Sequence, residues 1–159
     1  MPNIFEPSWD AEQDRPPFIW RRAYLGRQAG SQNLGCSLYE VPPGCSSFPL
    51  HVHQANEELI IVLDGRPTLR GIDGERQLES GEVVACPAGR TGAHRLDNRD
   101  SEVARVLVIS TMIAPELNEY PDSNKYWARN YAPGAVRPDD AVEIITRAPD
   151  QLDYLDGEG

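Results

Sequence analysis

Short apolar runs separated by turns fill the middle of the chain. Between residues 34 and 112 these runs recur about every eight to twelve residues, with Gly, Pro, Asp and Asn between them, which is typical of all-β sandwiches and barrels. No segment there keeps the longer period of an amphipathic helix. The pattern predicts strands over residues 34–41, 47–53, 58–63, 68–72, 76–78, 82–86, 94–96 and 103–112.

The flanking segments have a different pattern. Residues 1–30 are polar and contain several prolines, so we expect an irregular N-terminal arm that lies over a barrel formed by residues 31–112. Residues 113–159 are rich in Pro and Asp and contain several aromatic residues. We expect this C-terminal extension to pack on the barrel or on a partner subunit, with a further strand over residues 142–147.

Composition and charge narrow the class of protein. With 40% hydrophobic and 25% charged residues, the 159-residue chain has the composition of a soluble globular domain. No apolar run is long enough to cross a bilayer. The formal net charge of −10 makes nucleic acid and anionic lipid unexpected partners, because both are negatively charged.

The first residues and the cysteines bear on location. The chain starts without a basic stretch followed by an apolar block, so we expect no signal peptide. Cys36, Cys45 and Cys86 are odd in number and have no metal-binding spacing. We interpret them as reduced thiols and predict a cytoplasmic protein.

All three histidines of the chain fall in the predicted barrel. His51 and His53 are two residues apart in a strand, so both imidazoles point to the same face. Single histidine pairs in strands are more often ordinary surface or core residues. Here a carboxylate follows closely and His94 comes from a later strand, which favours a metal site.

Glu57 and Glu58 both qualify as the carboxylate ligand. Alternation from Glu58 places Ile60 and Val62 on its face, and alternation from Glu57 places three apolar residues on the other face. Both faces are apolar, so periodicity does not choose between the two glutamates.

Three imidazole nitrogens and one carboxylate oxygen suit a divalent cation of borderline hardness. Zinc, iron, manganese, nickel, cobalt and copper all accept such donors. Four protein ligands on a six-coordinate ion leave two positions for substrate, water or dioxygen. Structural zinc sites, in contrast, use thiolates and close every position.

Two glycine-rich motifs around these residues resemble those of the cupin superfamily. The first is Gly44, six residues, His51-Val52-His53, four residues, Glu58, six residues, Gly65; the second is Gly81, five residues, Pro87-Ala88-Gly89, four residues, His94, three residues, Asn98. Gly44 stands one residue and Gly89 two residues further from the histidines than in the strict pattern, and both extra lengths fall in loops, where insertions are tolerated.

The resemblance covers residues 34–112 and implies a double-stranded β-helix, or jelly-roll barrel, with one divalent metal held by His51, His53, Glu58 and His94. Its spacing to Gly65 favours Glu58 over Glu57 as the ligand. The chain is similar to small single-domain bacterial cupins, which are often assigned as sugar-phosphate isomerases or dioxygenases. Such barrels commonly dimerise, so a homodimer is implied.

Two functions therefore follow from the sequence. The first is a metal-dependent enzyme, isomerase-like or dioxygenase-like, that acts on a small polar substrate. The second is a non-catalytic cupin that binds or senses a small molecule. A sugar phosphate would need a cationic clamp, for which the candidates are Arg66, Arg70, Arg90 and Arg95, although Arg95 should face away from the metal. No catalytic base is identified, and Tyr39, Glu57 and Asp64 remain open.

Overall fold

The computed structural model describes residues 1–147 and 152–158, and its strands build a β-sandwich of the jelly-roll type. One short helix, α1 (Leu25–Ala29), follows the second strand. The strands are β1 (Ala11–Arg15), β2 (Phe18–Ala23), β3 (Leu34–Val41), β4 (Val52–His53), β5 (Glu58–Asp64), β6 (Thr68–Arg70), β7 (Glu75–Gln77), β8 (Val83–Cys86), β9 (Arg95–Asp97), β10 (Ala104–Thr111), β11 (Glu116–Tyr120), β12 (Lys125–Arg129) and β13 (Glu143–Arg147).

Three antiparallel sheets organise these strands. The largest has the order β1-β2-β3-β10-β5-β8, the second β13-β12-β11-β4 and the third β7-β6-β9. The long strand β10 lies between β3 and β5 and pairs with both along most of its length. Neighbours in the sheet are therefore often distant in sequence, which brings the two histidine-containing segments to one place.

Alternation along β5 and β10 builds the core. In β5, Ile60 and Val62 are almost fully buried, whereas Leu59 between Glu58 and Ile60 is 38% exposed. In β10, Val106 and Val108 are buried in the same cluster. Since alternate residues share a face, the buried face of β5 is also the face that carries Glu58.

Most predicted strands are confirmed, but residues 47–53 differ. Only Val52–His53 forms a strand there. Before it, Ser46 makes isolated bridges to Phe18 and Asp97, and His51 makes one to His94. Pro49 has no N–H to donate, so a continuous ladder cannot run through this segment.

The N-terminal segment is more regular than we expected. Instead of an irregular arm, residues 11–23 form the hairpin β1–β2, and β2 pairs with β3 through contacts such as Arg22 with Tyr39. The prolines Pro16 and Pro17 suggested an irregular segment, but they lie in the turn between the two strands. The hairpin places Trp20 and Arg22 beside the barrel.

The C-terminal extension contributes strands to the second sheet. Strand β11 pairs with β4, with Asn118 opposite His53. The strand predicted over residues 142–147 is confirmed as β13 (Glu143–Arg147). The part of the extension at residues 148–151 and at residue 159 lies outside the described residues.

The division of the chain at residues 31 and 112 remains a prediction. Within residues 1–147 and 152–158, no helix has the length and apolar character needed to cross a membrane.

Candidate metal centre

The structure brings the four predicted ligands together at one end of the barrel. His51 lies opposite His94, and each backbone N–H donates to the carbonyl of the other, at 3.2 and 3.0 Å. His53 ends β4, and Glu58 begins β5. These four side chains therefore come from segments that the sandwich places side by side.

Their donor atoms have the spacing of a chelating group. The Nε2 atoms of His51 and His53 are 3.1 Å apart, His94 Nε2 is 2.9 Å from Glu58 Oε2, and His53 Nε2 is 3.7 Å from the same oxygen. All four donors lie within 4.8 Å of one another. Ligands about 2.1 Å from a common cation are separated by about 3.0 to 3.4 Å in adjacent positions and by about 4.2 Å across it, so the donor spacing is close to that around one divalent ion.

Backbone carbonyls orient two of the imidazoles. The Nδ1 atom of His51 lies 3.0 Å from the Pro49 carbonyl oxygen, and Nδ1 of His94 lies 2.9 Å from that of Gly92. A carbonyl oxygen only accepts, so each Nδ1 carries the proton that it donates. Nε2 is then the nitrogen directed at the centre, as a metal-ligating histidine requires.

A carboxylate orients the third imidazole. His53 Nδ1 lies 3.1 Å from Oε2 of Glu116, which also accepts a hydrogen bond from the Asn56 side-chain amide. Burial would raise the pKa of Glu116, but its hydrogen bonds to His53 and Asn56 outweigh burial and lower the pKa. The ionised carboxylate accepts the Nδ1 proton, an arrangement common around protein-bound metals.

Two buried groups in this centre lack a partner that a cation would supply. The Nε2 atoms of His51 and His53 face each other at 3.1 Å, and with both Nδ1 atoms protonated, two lone pairs meet there. His94 Nε2 is buried 2.9 Å from Glu58 Oε2, but this contact lacks hydrogen-bond geometry. Buried polar atoms without partners are costly, and these donors fit a divalent metal.

The pKa values show how strongly the four groups interact. Burial and the neighbouring His94 and His53 hold the pKa of His51 well below its usual range. Burial would raise the pKa of Glu58, but the adjacent histidines lower it to about 2. Burial would lower the pKa of His94, but Cys86 and Glu58 outweigh it and raise the pKa to about 10. Glu58 therefore stays ionised.

The structure also separates Glu58 from the other candidates. Glu57 and Asp64 are exposed, whereas Glu58 is buried in the cluster with the histidines. Tyr39 lies with the histidines on the wall of the barrel cavity, where burial and the charge of Glu58 contribute to raising its pKa to about 12, against the lowering effect of Arg22. Tyr39 is therefore a protonated hydroxyl rather than a base.

A cavity of about 420 Å³ opens from the centre. Its polar wall includes residues that the sequence did not single out: Arg22, Asn118, Tyr120, Arg129 and Arg137. The arginines that the sequence suggested as a clamp do not line this cavity, and each pairs with a carboxylate outside it. These pairs are Arg66 with Glu79, Arg70 with Asp122, Arg90 with Glu119 and Arg95 with Asp97.

No local signal marked Arg22 or Arg129 in the sequence. Arg22 is one of two adjacent arginines in a short amphipathic strand, and Arg129 ends a strand in the extension. The i, i+2 spacing of Glu116 and Asn118 indicated a shared face, but only the pairing of β11 with β4 shows that this face meets His53.

Comparisons with known proteins agree with this fold. A cupin-superfamily sugar phosphate isomerase from Silicibacter pomeroyi superposes with a TM-score of 0.78 at 22% identity, over 98% of each chain. A protein from Acidithiobacillus ferrooxidans, provisionally assigned as a sugar phosphate isomerase, has a TM-score of 0.76 at 24% identity, over 91% of this chain and 86% of its own.

A sequence match of another kind is short. Quercetin 2,3-dioxygenase from Bacillus subtilis is 45% identical over 53 residues, which are 33% of this chain and 15% of the dioxygenase. The match therefore spans a small part of that enzyme. The family model for the cupin domain matches residues 37–110, which run from within β3 to within β10 and include all four candidate ligands. Residues 37–110 of this chain form a cupin domain.

Proposed function

We propose that this protein is a metal-dependent enzyme that acts on a small polar substrate in the barrel cavity. The observation that carries the proposal is the convergence of three Nε2 atoms and one carboxylate oxygen on one point, with each Nδ1 already hydrogen-bonded. The ligands are His51, His53, Glu58 and His94, and the metal is zinc, iron, manganese, nickel, cobalt or copper.

The cavity supports an isomerase-like reaction best. A bound divalent ion would supply Lewis acidity to a carbonyl or an enediolate. Around it, Tyr39 offers a hydroxyl that keeps its proton, and Tyr120 stacks beside His51 with ring centroids 6.2 Å apart. Such donors suit a substrate oxygen on which negative charge develops. The two long structural matches to sugar phosphate isomerases support the same class.

A dioxygenase-like reaction is the second candidate, and the short match to quercetin 2,3-dioxygenase favours it. This reaction needs a metal that binds dioxygen, such as iron, manganese, nickel or copper. The third function, a non-catalytic cupin that binds or senses a small molecule, would use the same cavity without turnover.

Metal content and turnover test these functions. Protein purified without chelator should contain about one divalent ion per chain by elemental analysis, and the double variant His51→Ala, His53→Ala should contain none. Glu57→Gln, which changes the exposed neighbour of Glu58, is the matched control and should keep the metal. Stoichiometric metal in the double variant would overturn the assignment.

Activity then separates the reaction classes. We expect the metal-loaded protein to exchange substrate protons with deuterium in aldose and ketose phosphates, which nuclear magnetic resonance detects. Oxygen uptake with catechols or flavonols would instead support the dioxygenase. Inactivity with both substrate groups, with metal bound, would favour the binding protein.

We also propose a cytoplasmic homodimer. Leu117 and Ile144 lie in one row across the sheet, on either side of Ala128, and are 38% and 58% exposed. An apolar row of this kind on an outer sheet suits contact with a second copy. Sedimentation should give the mass of a dimer, and Ile144→Glu should give a monomer.

A further inference from the structure

Two arginines in the cavity lack the partners that other arginines of this chain have. Nine other arginines each lie within 4 Å of a carboxylate. Among residues 1–147 and 152–158, no carboxylate lies that close to Arg22 or Arg129. This is notable in a chain with 25 acidic and 15 basic residues. Glu58, the metal-ligand candidate, is the carboxylate on the cavity wall.

Arg129 is the more buried of the two, with only 8% of its surface exposed. Its Nη2 donates to Asn118 Oδ1 at 2.6 Å, and its guanidinium lies 4.1 Å from the centroid of the Trp127 ring. Its Nε is buried without a hydrogen-bond partner. Neutral groups therefore hold the guanidinium in place. Glu116 and Glu143, opposite Arg129 on the two neighbouring strands, act on its charge without forming an ion pair, so the charge is only partly compensated. A buried charge without a direct partner is unfavourable.

Arg22 is held in a similar way. Its Nη2 donates to Ser37 Oγ at 2.8 Å, and its guanidinium stacks over Tyr24 and Tyr39, at 4.2 and 4.9 Å from the ring centroids. Its Nε is also buried without a partner. Both guanidinium groups are thus oriented in advance and keep N–H donors unused, and Arg137 adds a third positive charge to the cavity wall.

We infer that the cavity binds an anionic small molecule whose oxyanion group, a carboxylate or a phosphate, is bound by Arg129, with Arg22 contributing a second cationic wall. A planar guanidinium donates to such a group through two parallel hydrogen bonds, which are stronger than bonds between neutral groups. This inference rests on the proposed function, because it names the substrate class of the same cavity.

The proposed oxyanion site at Arg129 is distinct from the metal site but lies next to it. Asn118 connects the two parts, since its amide nitrogen lies 2.9 Å from His53 Nδ1 while its amide oxygen accepts from Arg129. A substrate bound to Arg129 is therefore placed beside the histidine cluster without using a metal-ligand residue. The substrate class that results is a small acid or phosphate ester with a second oxygen for the metal.

Matched pairs of charged and neutral probes test the inference. Glycerol 3-phosphate is compared with glycerol, and lactate with lactamide, by calorimetric titration of metal-loaded and metal-free protein. We expect at least one anion of these pairs to bind and its neutral counterpart not to bind. Arg129→Gln should lower the affinity for that anion by about tenfold or more while the metal content stays unchanged.

Three further variants keep the result interpretable. Arg22→Gln should also lower the affinity for the anion. Arg129→Lys retains the charge but loses the paired donors, so it should retain only part of the affinity of the parent protein. Arg99→Gln removes an exposed arginine that pairs with Glu75, so it should bind the anion like the parent protein. Unfolding curves confirm that each variant is folded.

Defined outcomes would overturn the inference. These are equal binding of charged and neutral probes, no binding of either anion, or unchanged anion affinity in both Arg129→Gln and Arg22→Gln. Metal content is measured separately on each sample. A protein that holds metal but binds no anion would contradict this inference and leave the proposed function intact. A protein that binds the anion but holds no metal would contradict the proposed function and leave the anion site intact.

Discussion

Glu116 contacts His53 across 63 residues of sequence, with its Oε2 3.1 Å from the imidazole Nδ1. This contact exists because β11, in the C-terminal extension, pairs with β4. Its consequence is that His53 presents Nε2 to the other ligands. The extension is thus part of the candidate metal centre, although it lies outside the segment that the cupin-domain model matches.

Glu116→Gln should weaken metal binding while leaving the four ligands in place. The amide keeps the shape of the side chain but loses the negative charge that orients and polarises His53. Loss of such an outer partner costs about 10- to 100-fold in metal affinity. Competition with a chromogenic chelator measures the change. Glu79→Gln, at an exposed ion pair with Arg66, is the control, and equal affinities in the two variants would contradict this role.

Glu58→Gln should lower the metal affinity strongly, and Glu57→Gln should hardly change it. Glu58 is buried against His94, whereas Glu57 beside it is exposed. Loss of an outer partner lowers metal affinity by about 10- to 100-fold, and replacing the anionic donor itself should lower it by at least as much. The change at residue 57 should hardly alter the metal affinity. Chelator competition compares the pair directly. A larger loss in the Glu57 variant would mean that the other face of β5 carries the ligand.

Acidification should release the metal. Protons compete with the cation for the imidazole nitrogens, so affinity falls as the pH decreases and rises as it increases. The low pKa of His51 favours its neutral form, and Glu58, whose pKa is about 2, stays ionised at any pH tested. His94, whose pKa is raised to about 10, carries a proton that the cation must displace over the whole range. The histidines therefore dominate the loss between about pH 8 and about pH 5. An affinity that is constant over this range would argue against imidazole ligands.

Ile60→Ala and Leu59→Ala test the alternation of β5. Ile60 has no exposed surface and belongs to the main core cluster, whereas Leu59 is 38% exposed. The first change should lower the free energy of unfolding by about 2 to 5 kcal/mol, and the second by about 1 kcal/mol or less. Denaturant unfolding measures both. Similar losses would mean that both faces of the strand are packed equally.

Local patterns in the sequence were sufficient for most strands between residues 34 and 112 and, with the cupin motifs, for a set of candidate ligands. Alternation and turn residues depend on neighbours close in the chain, and the strands they predicted over residues 58–63 and 103–112 are β5 and β10. The i, i+2 spacing of His51 and His53 placed both imidazoles on one face. The cupin motifs then associated Glu58 and His94 with them.

The tertiary structure decided everything that depends on contacts between distant segments. It buried Glu58 and exposed Glu57, because the side of β5 that faces the core is set by packing against other strands. It placed Glu116 on His53 and, among the described residues, left Arg22 and Arg129 without an ion-pair partner. A short sequence pattern carries no information about partners that only the pairing of strands brings into contact, so these features could not be predicted from it.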